Sequence, residues 1–255
     1  MSRTLVILGR ELRSFFLSPM AYVLAFLFVV LRAIDTSFLV SSAAAGRLDM
    51  DLFPLHYTTA TNGLLFMGVL VPPLLTMRLF AEERRSGSME LLMTTPVSDT
   101  EVVMGKWLAS LVFYLVLWVP SLALLLLLQG EGFLDQAMPA GAVFTSHLWI
   151  LLLGGLPLAS GIFFSSLTTN QLVASLIGIV ANLLLLFGPL LLDRLGKAPK
   201  EGLRLEVFRQ CYILEHVSGG FGRGLVDSAP VGFYLSLTAV FLFLTIRSVE
   251  ARKWV

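Results

Sequence analysis

Long apolar runs separated by short polar segments dominate the pattern of this chain. An α-helix needs about 20 mostly apolar residues to cross ~30 Å of hydrocarbon. Stretches of that kind can be placed at residues 19–40, 62–79, 101–128, 146–167, 172–192 and 231–247. The pattern therefore predicts an all-α integral membrane protein with six transmembrane helices, forming a single domain over residues 1–255.

Residues 3–17 have an amphipathic pattern. The apolar positions share one side of a helix: Leu5, Leu8, Leu12 and Phe15 or Phe16. The polar positions lie largely on the other side: Arg3, Arg10, Glu11, Arg13 and Ser14. This predicts a helix that lies in the membrane interface with its basic side chains toward anionic headgroups. The alternative is a basic end that simply leads into the first span.

A dense charged segment, residues 80–97, joins the second and third spans. Its polarity excludes it from hydrocarbon, so it must face water. Leu79 to Ser86 can form two helical turns that Gly87 ends, since glycine readily takes the left-handed cap conformation. Ser88 can cap a second short helix with Glu90 in its first turn, and three apolar residues share one face of it: Met89, Leu92 and Met93. The alternative is a solvated loop whose charges set the topology.

The first span carries two charged residues, Arg32 and Asp35, three positions apart. Charge at this depth is costly unless it is paired or faces water. One interpretation is a polar site that lines a transport route. The other is a local ion pair that reaches toward the outer interface.

Local sequence signals predict where helices begin, bend and pack closely. Ser98 and Glu101 form a capping box, which predicts that a helix starts at Asp99. Pro72 and Pro73 predict a bend in the second span. In the fifth span small residues recur four positions apart and permit close helix packing: Ala174, Gly178 and Asn182.

Composition narrows the function classes. Of the 255 residues, 56% are hydrophobic and 14% are charged, which is unlike an ordinary soluble domain. The net charge of +1 provides no basic field for nucleic acid. Cys211 is the only cysteine, so an internal disulfide is excluded. The chain has no G-x-x-x-x-G-K-[ST] loop and no closely spaced histidines, so we expect no cofactor site and no enzyme activity in it.

Basic residues are unevenly distributed between the two sides. They concentrate at the N-terminus, around the charged segment and at the C-terminus: Arg3, Arg10, Arg13, Arg78, Arg84, Arg85, Lys106, Arg247, Arg252 and Lys253. The positive-inside rule then places both ends in the cytoplasm. Residues 193–229, which this topology puts outside, also carry several basic residues and fit the rule poorly.

The charged segment also carries a family resemblance. Residues 81–109, AEERRSGSMELLMTTPVSDTEVVMGKWLA, resemble the segment after the second span in permeases of the ABC type-2 exporter family. The matching positions are Glu82, Glu83, Gly87, Ser88, Glu90, Leu92, Pro96, Val97, Gly105 and Lys106. The opening, residues 9–23, and the ending, residues 215–254, are similar to the gliding-motility-associated branch of that family.

The resemblance implies a six-span permease in the bacterial inner membrane that pairs with itself or with a sister permease. It implies a separate ABC ATPase that binds ATP and Mg²⁺. A coupling helix within residues 81–96 would dock on that ATPase, and the turn Thr168–Gln171 would make a smaller contact. A pair of short re-entrant helices would precede the last span on the outer side. The residues expected to contact the ATPase are Glu82, Glu83, Arg85, Gly87, Met89, Glu90, Leu92, Met93 and Pro96.

Two other functions stay open at this stage. The chain could anchor or regulate an ABC ATPase without transporting anything. Less readily, it could be a polytopic enzyme that modifies lipids.

Overall fold

The computed structural model describes residues 3–47, 56–57, 61–87, 97–130, 140–197, 199 and 203–251. Across these residues the regular structure is helical. The long helices are α1 (Arg3–Phe16), α2 (Pro19–Ala44), α3 (Val71–Arg85), α4 (Asp99–Gly130), α5 (Ala140–Leu167) and α6 (Gln171–Arg194). They are followed by α7 (Leu203–Cys211), α8 (Ile213–Gly219), a 3₁₀ turn (Phe221–Arg223) and α9 (Ser228–Glu250).

Six helical stretches are long and apolar enough to cross a membrane. They are α2, α3 with the π-helix before it, α4, α5, α6 and α9. The predicted all-α membrane fold with six spans is therefore confirmed. The chain is a multi-pass membrane protein.

The helices are longer than the apolar runs at several ends. The fourth begins at Ala140 rather than near residue 146, and the second continues to Arg85 instead of ending near residue 79. A transmembrane helix can extend beyond the hydrocarbon into water, because its backbone hydrogen bonds do not depend on an apolar environment. The ladder of α3 ends at Gly87, which has a φ of +72°. The first short helix predicted in the charged segment is thus the last part of α3.

The second span is irregular near its two prolines. It begins with one α-helical turn, Thr61–Leu64, and continues as a π-helix, Leu65–Leu70, before α3. Pro72 and Pro73 have no backbone N–H and cannot donate to the carbonyls four positions earlier. The N–H of Val71 instead donates to the Phe66 carbonyl, five positions earlier. The structure thus has a π-helix directly before the two prolines, and the bend that they predicted stays a prediction.

Helix α5 lies at the centre of the bundle and packs against α3, α4, α6 and α9. Its glycines permit close approach. A Cβ at Gly161 would lie 2.2 Å from Thr76 Oγ1 on α3. On α6, a Cβ at Gly178 would lie 2.9 Å from Pro73 Cβ. The small-residue face predicted on the fifth span is therefore a packing face, and its three members are buried: Ala174, Gly178 and Asn182.

The outer faces of α2, α6 and α9 carry large exposed apolar side chains. Examples are Phe38 on α2, Leu184 on α6 and Phe243 on α9. Apolar surface of this extent requires a hydrocarbon or protein environment. The inner faces hold the shared core.

A pair of short helices precedes the last span, as the family resemblance implied, and their re-entrant placement on the outer side stays a prediction. They are α7 and α8, and the following 3₁₀ turn packs on the start of α5. Thr145 and Ser146 both donate hydrogen bonds to the Phe221 carbonyl. Trp149 Nε1 donates to the Tyr234 hydroxyl at 3.0 Å, which ties α5 to α9.

Candidate functional site

The site lies where α1, the end of α3 and the start of α4 meet. Lys106 is at its centre, and its ammonium is completely buried. Lys106 Nζ lies 2.8 Å from Glu83 Oε1 on α3 and 3.1 Å from Glu11 Oε1 on α1. It also donates to the Leu79 carbonyl at 2.8 Å. Lys106 on α4 thus binds both α1 and α3.

Arg10 adds a second cation to this cluster. Its Nη2 lies 2.6 Å from Glu11 Oε1 and 3.2 Å from Glu83 Oε1. Burial alone would raise the pKa of the Glu11 carboxyl, but Lys106 and Arg10 outweigh burial and hold that pKa below its usual value. We call Arg10, Glu11, Glu83 and Lys106 the charge cluster. Its two carboxylates are balanced by two cations.

The structure changes the assignment of the faces of α1. Its most buried positions are Ile7, Glu11 and Phe15, each separated by four residues. The sequence pattern placed Glu11 on the polar side, and that expectation is wrong because Glu11 is buried. Its carboxylate can be buried because Lys106 pairs with it. The sequence signal that could have indicated this pairing is Lys106 itself, which lies at the edge of a long apolar run.

Gly105 explains why α1 can approach α4 so closely. A Cβ at this position would lie 2.9 Å from Ile7 Cγ2 and 3.2 Å from the Thr4 carbonyl oxygen. Gly105 and Lys106 therefore have complementary roles in the contact between α1 and α4. The glycine admits α1, and the lysine binds it.

The end of α3 is also fastened to α5. Ser165 Oγ accepts hydrogen bonds from the backbone N–H groups of Phe80 (3.2 Å) and Ala81 (3.1 Å). Ser165 in turn donates to the Met77 carbonyl at 2.9 Å. Arg84 Nη1 donates to the Ser166 carbonyl at 2.9 Å. The last turns of α3 are thus held between the charge cluster and α5.

The residues expected to contact an ATPase separate into groups. Glu82, Arg85 and Gly87 are exposed at the end of α3. Glu83 instead points into the charge cluster, with 18% of its side chain exposed. The remaining candidates lie outside the described residues: Met89, Glu90, Leu92, Met93 and Pro96.

The other predicted polar pair, Arg32 and Asp35, is enclosed by protein. Arg32 is 1% exposed, and its Nη2 donates to the Tyr57 carbonyl at 2.6 Å. Its Nε donates to Ser121 Oγ on α4 at 3.2 Å. The Arg32 guanidinium carbon also lies 4.2 Å from the centre of the Tyr57 ring.

Asp35 completes the connection to the second span. Arg32 Nη1 lies 3.9 Å from Asp35 Oδ2, and the same oxygen accepts from the backbone N–H of Gly63 at 3.2 Å. The pair therefore joins α2 to α4 and to the start of the second span. These contacts form a polar connection between helices. That Arg32 and Asp35 line a transport route stays a prediction.

Replacing Arg32 with glutamine should lower the free energy of unfolding by about 1–3 kcal/mol, because the buried Tyr57 carbonyl loses a charged donor. Thermal unfolding of the purified chain in mild detergent measures this. Arg47→Gln, at an exposed arginine just beyond α2, provides the control. Equal stability of the two variants would contradict the role given to Arg32.

Residues 55–204 match the model of the ABC-2 family transporter protein, which is more than half of the 255 residues. The match includes α3 to α6 and the Lys106 and Glu83 members of the charge cluster. Among curated proteins, none matches this chain. The chain therefore belongs to the ABC-2 family of transporter proteins, as a multi-pass transmembrane component that is not itself catalytic.

Proposed function

We propose that the chain is the permease subunit of an ATP-driven exporter in the bacterial inner membrane. A separate ABC ATPase binds ATP and Mg²⁺, and the end of α3 together with residues 86–97 docks on it. Both termini lie in the cytoplasm in this proposal. The observation that supports it best is that the last turn of α3 exposes Glu82 and Arg85 while its inner side is firmly held.

Coupling requires a contact that moves the spans when the partner changes state. A docking element on a slack loop would absorb such a movement. Here the end of α3 is bonded to α1 and α4 through Lys106 and to α5 through Ser165. A force applied at Glu82 and Arg85 is therefore transmitted to the ends of several helices at once.

The geometry also agrees with the predicted second contact. Arg84 binds the Ser166 carbonyl, so the turn after α5 lies beside the end of α3. In this turn Asn170 caps α6 by accepting from the N–H of Leu172 at 3.0 Å. Residues 168–171 are thus on the same side of the bundle as Glu82 and could contact the same partner.

Further parts of the proposal rest on the family and on the resemblance. A second permease, identical or related, would complete the transporter, and the exposed apolar faces of α2, α6 and α9 are surfaces that either lipid or this second permease would cover. The likeness to the gliding-motility-associated branch stays a prediction.

The coupling site is tested with the double variant Glu82→Arg and Arg85→Glu. Both side chains are exposed, so the fold should persist while the charges toward the ATPase are reversed. Affinity purification of the tagged chain in mild detergent should recover a stoichiometric ABC ATPase. The variant should recover about tenfold less, as expected when central charged contacts are lost.

Arg247→Glu, at an exposed arginine in the last turn of α9, serves as the matched control. Recovery of the ATPase by the double variant at the control level would contradict docking at the end of α3. Gly87→Pro and Glu90→Arg extend the test to residues 86–97, where we expect uncoupled ATP hydrolysis. Recovery of an ATPase whose activity does not respond to any exported cargo would favour a membrane anchor over a permease.

A further inference from the structure

A groove of about 900 Å³ runs between α1, the start of α2 and α3. That size lies within the ~300–1,000 Å³ of typical small-molecule sites. Three arginines line it: Arg10, Arg13 and Arg78. No acidic side chain is among the described residues that line it.

Two of these arginines, Arg13 and Arg78, have no carboxylate partner among the residues that the structure describes. Arg13 is exposed on α1 and forms no ion pair there. Arg78 donates to the Ser14 carbonyl at 3.1 Å, and its guanidinium carbon lies 5.0 Å from the centre of the Phe15 ring. These neutral contacts fix the position of the Arg78 guanidinium but do not neutralise it. Arg10, by contrast, is committed to the charge cluster.

Exposed apolar side chains also line the groove. Leu17 is 81% exposed, Val6 is 60% exposed and Leu5 is 50% exposed. Large apolar side chains beside the cations Arg13 and Arg78 match the two chemical parts of an amphiphile. A phosphate belongs at Arg13 and Arg78, and acyl chains belong along Leu5, Val6 and Leu17.

We propose that this groove is a binding site for one anionic phospholipid from the leaflet in which α1 lies. The proposal depends on the chain being a membrane protein and not on docking to an ATPase. Bound lipid would link Arg13 on α1 to Arg78 on α3. It would thereby stabilise the position of α1 next to the charge cluster.

The test uses the full chain, delipidated in mild detergent, with lipid binding followed by native mass spectrometry. The probes are phosphatidylglycerol and phosphatidylcholine with identical acyl chains. We expect tighter binding of phosphatidylglycerol. Arg13→Gln and Arg78→Gln should each weaken it about fivefold, as expected for loss of one basic side chain near an anionic surface. Arg247→Gln removes the same charge away from the groove and should change nothing.

Two further measurements distinguish binding of a whole lipid from binding of a phosphate group alone. Leu17→Gln should weaken binding of phosphatidylglycerol, because it removes an apolar wall. Inorganic phosphate should compete poorly. Equal binding of the two lipids, unchanged binding by Arg13→Gln, or competition by inorganic phosphate at the affinity of the lipid would each overturn the proposal.

Discussion

Replacing Lys106 with methionine should destabilise the folded chain by about 3–5 kcal/mol, the usual cost of breaking a buried ion pair from one side. The substitution keeps most of the length of the side chain but removes the cation that contacts Glu11, Glu83 and the Leu79 carbonyl together. The carboxylates of Glu11 and Glu83 would then lie close together without the buried cation that balances them, although Arg10 still contacts both. Thermal unfolding in detergent should show a large decrease in the midpoint.

The structural effect of Lys106→Met should be confined mainly to α1. Helix α1 is attached to the bundle mainly through α4, so we expect α1 to become accessible to protease in Lys106→Met before the rest of the chain does. Arg247→Met, which breaks the exposed ion pair with Glu250, should have little effect. A triple variant that also carries Glu11→Gln and Glu83→Gln should recover part of the stability, because the two carboxylates that Lys106 balanced are then replaced by neutral amides.

Two results would contradict this account. Lys106→Met could unfold at the same temperature as the original chain. Alternatively, the triple variant could be less stable than Lys106→Met alone. Either result would mean that the charge cluster does not hold α1 to α4.

Replacing Gly154 with alanine should destabilise the bundle by about 3 kcal/mol, the upper part of the usual range for overpacking. A Cβ at this position on α5 would lie 2.2 Å from Tyr114 Cε1 and 2.7 Å from Tyr114 Cδ1. The Tyr114 ring is completely buried and cannot turn away without displacing its neighbours. Helices α4 and α5 would have to separate.

The adjacent glycine is a close control. At Gly155 the nearest atom to an added Cβ is Trp107 Cζ2 at 3.6 Å, an ordinary van der Waals distance. The two substitutions have the same change in helix propensity and differ only in the direction of the methyl group. Thermal unfolding should separate them clearly, and equal midpoints would show that α4 and α5 are not packed as described.

The sequence by itself determined the membrane architecture, because that depends on local properties. The length of an apolar run decides whether a segment can span, so the six spans follow from the chain pattern alone. Capping is equally local. Ser98 and Glu101 exchange the hydrogen bonds of the predicted capping box, with the Glu101 N–H donating to Ser98 Oγ at 3.2 Å and the Ser98 N–H donating to Glu101 Oε2 at 2.9 Å.

Only the tertiary structure decided what the polar residues do. Glu82 and Glu83 are neighbours with the same chemistry, yet one is exposed and the other binds Lys106, 23 positions away. Glu11 lies in an amphipathic helix and looks like a surface residue until its partner, 95 positions away, is known. A helical pattern specifies the direction of a side chain on its own helix, but not which charge another helix brings to meet it. The energy of a buried charge depends on that partner, so the pairing could be established only from the packed bundle.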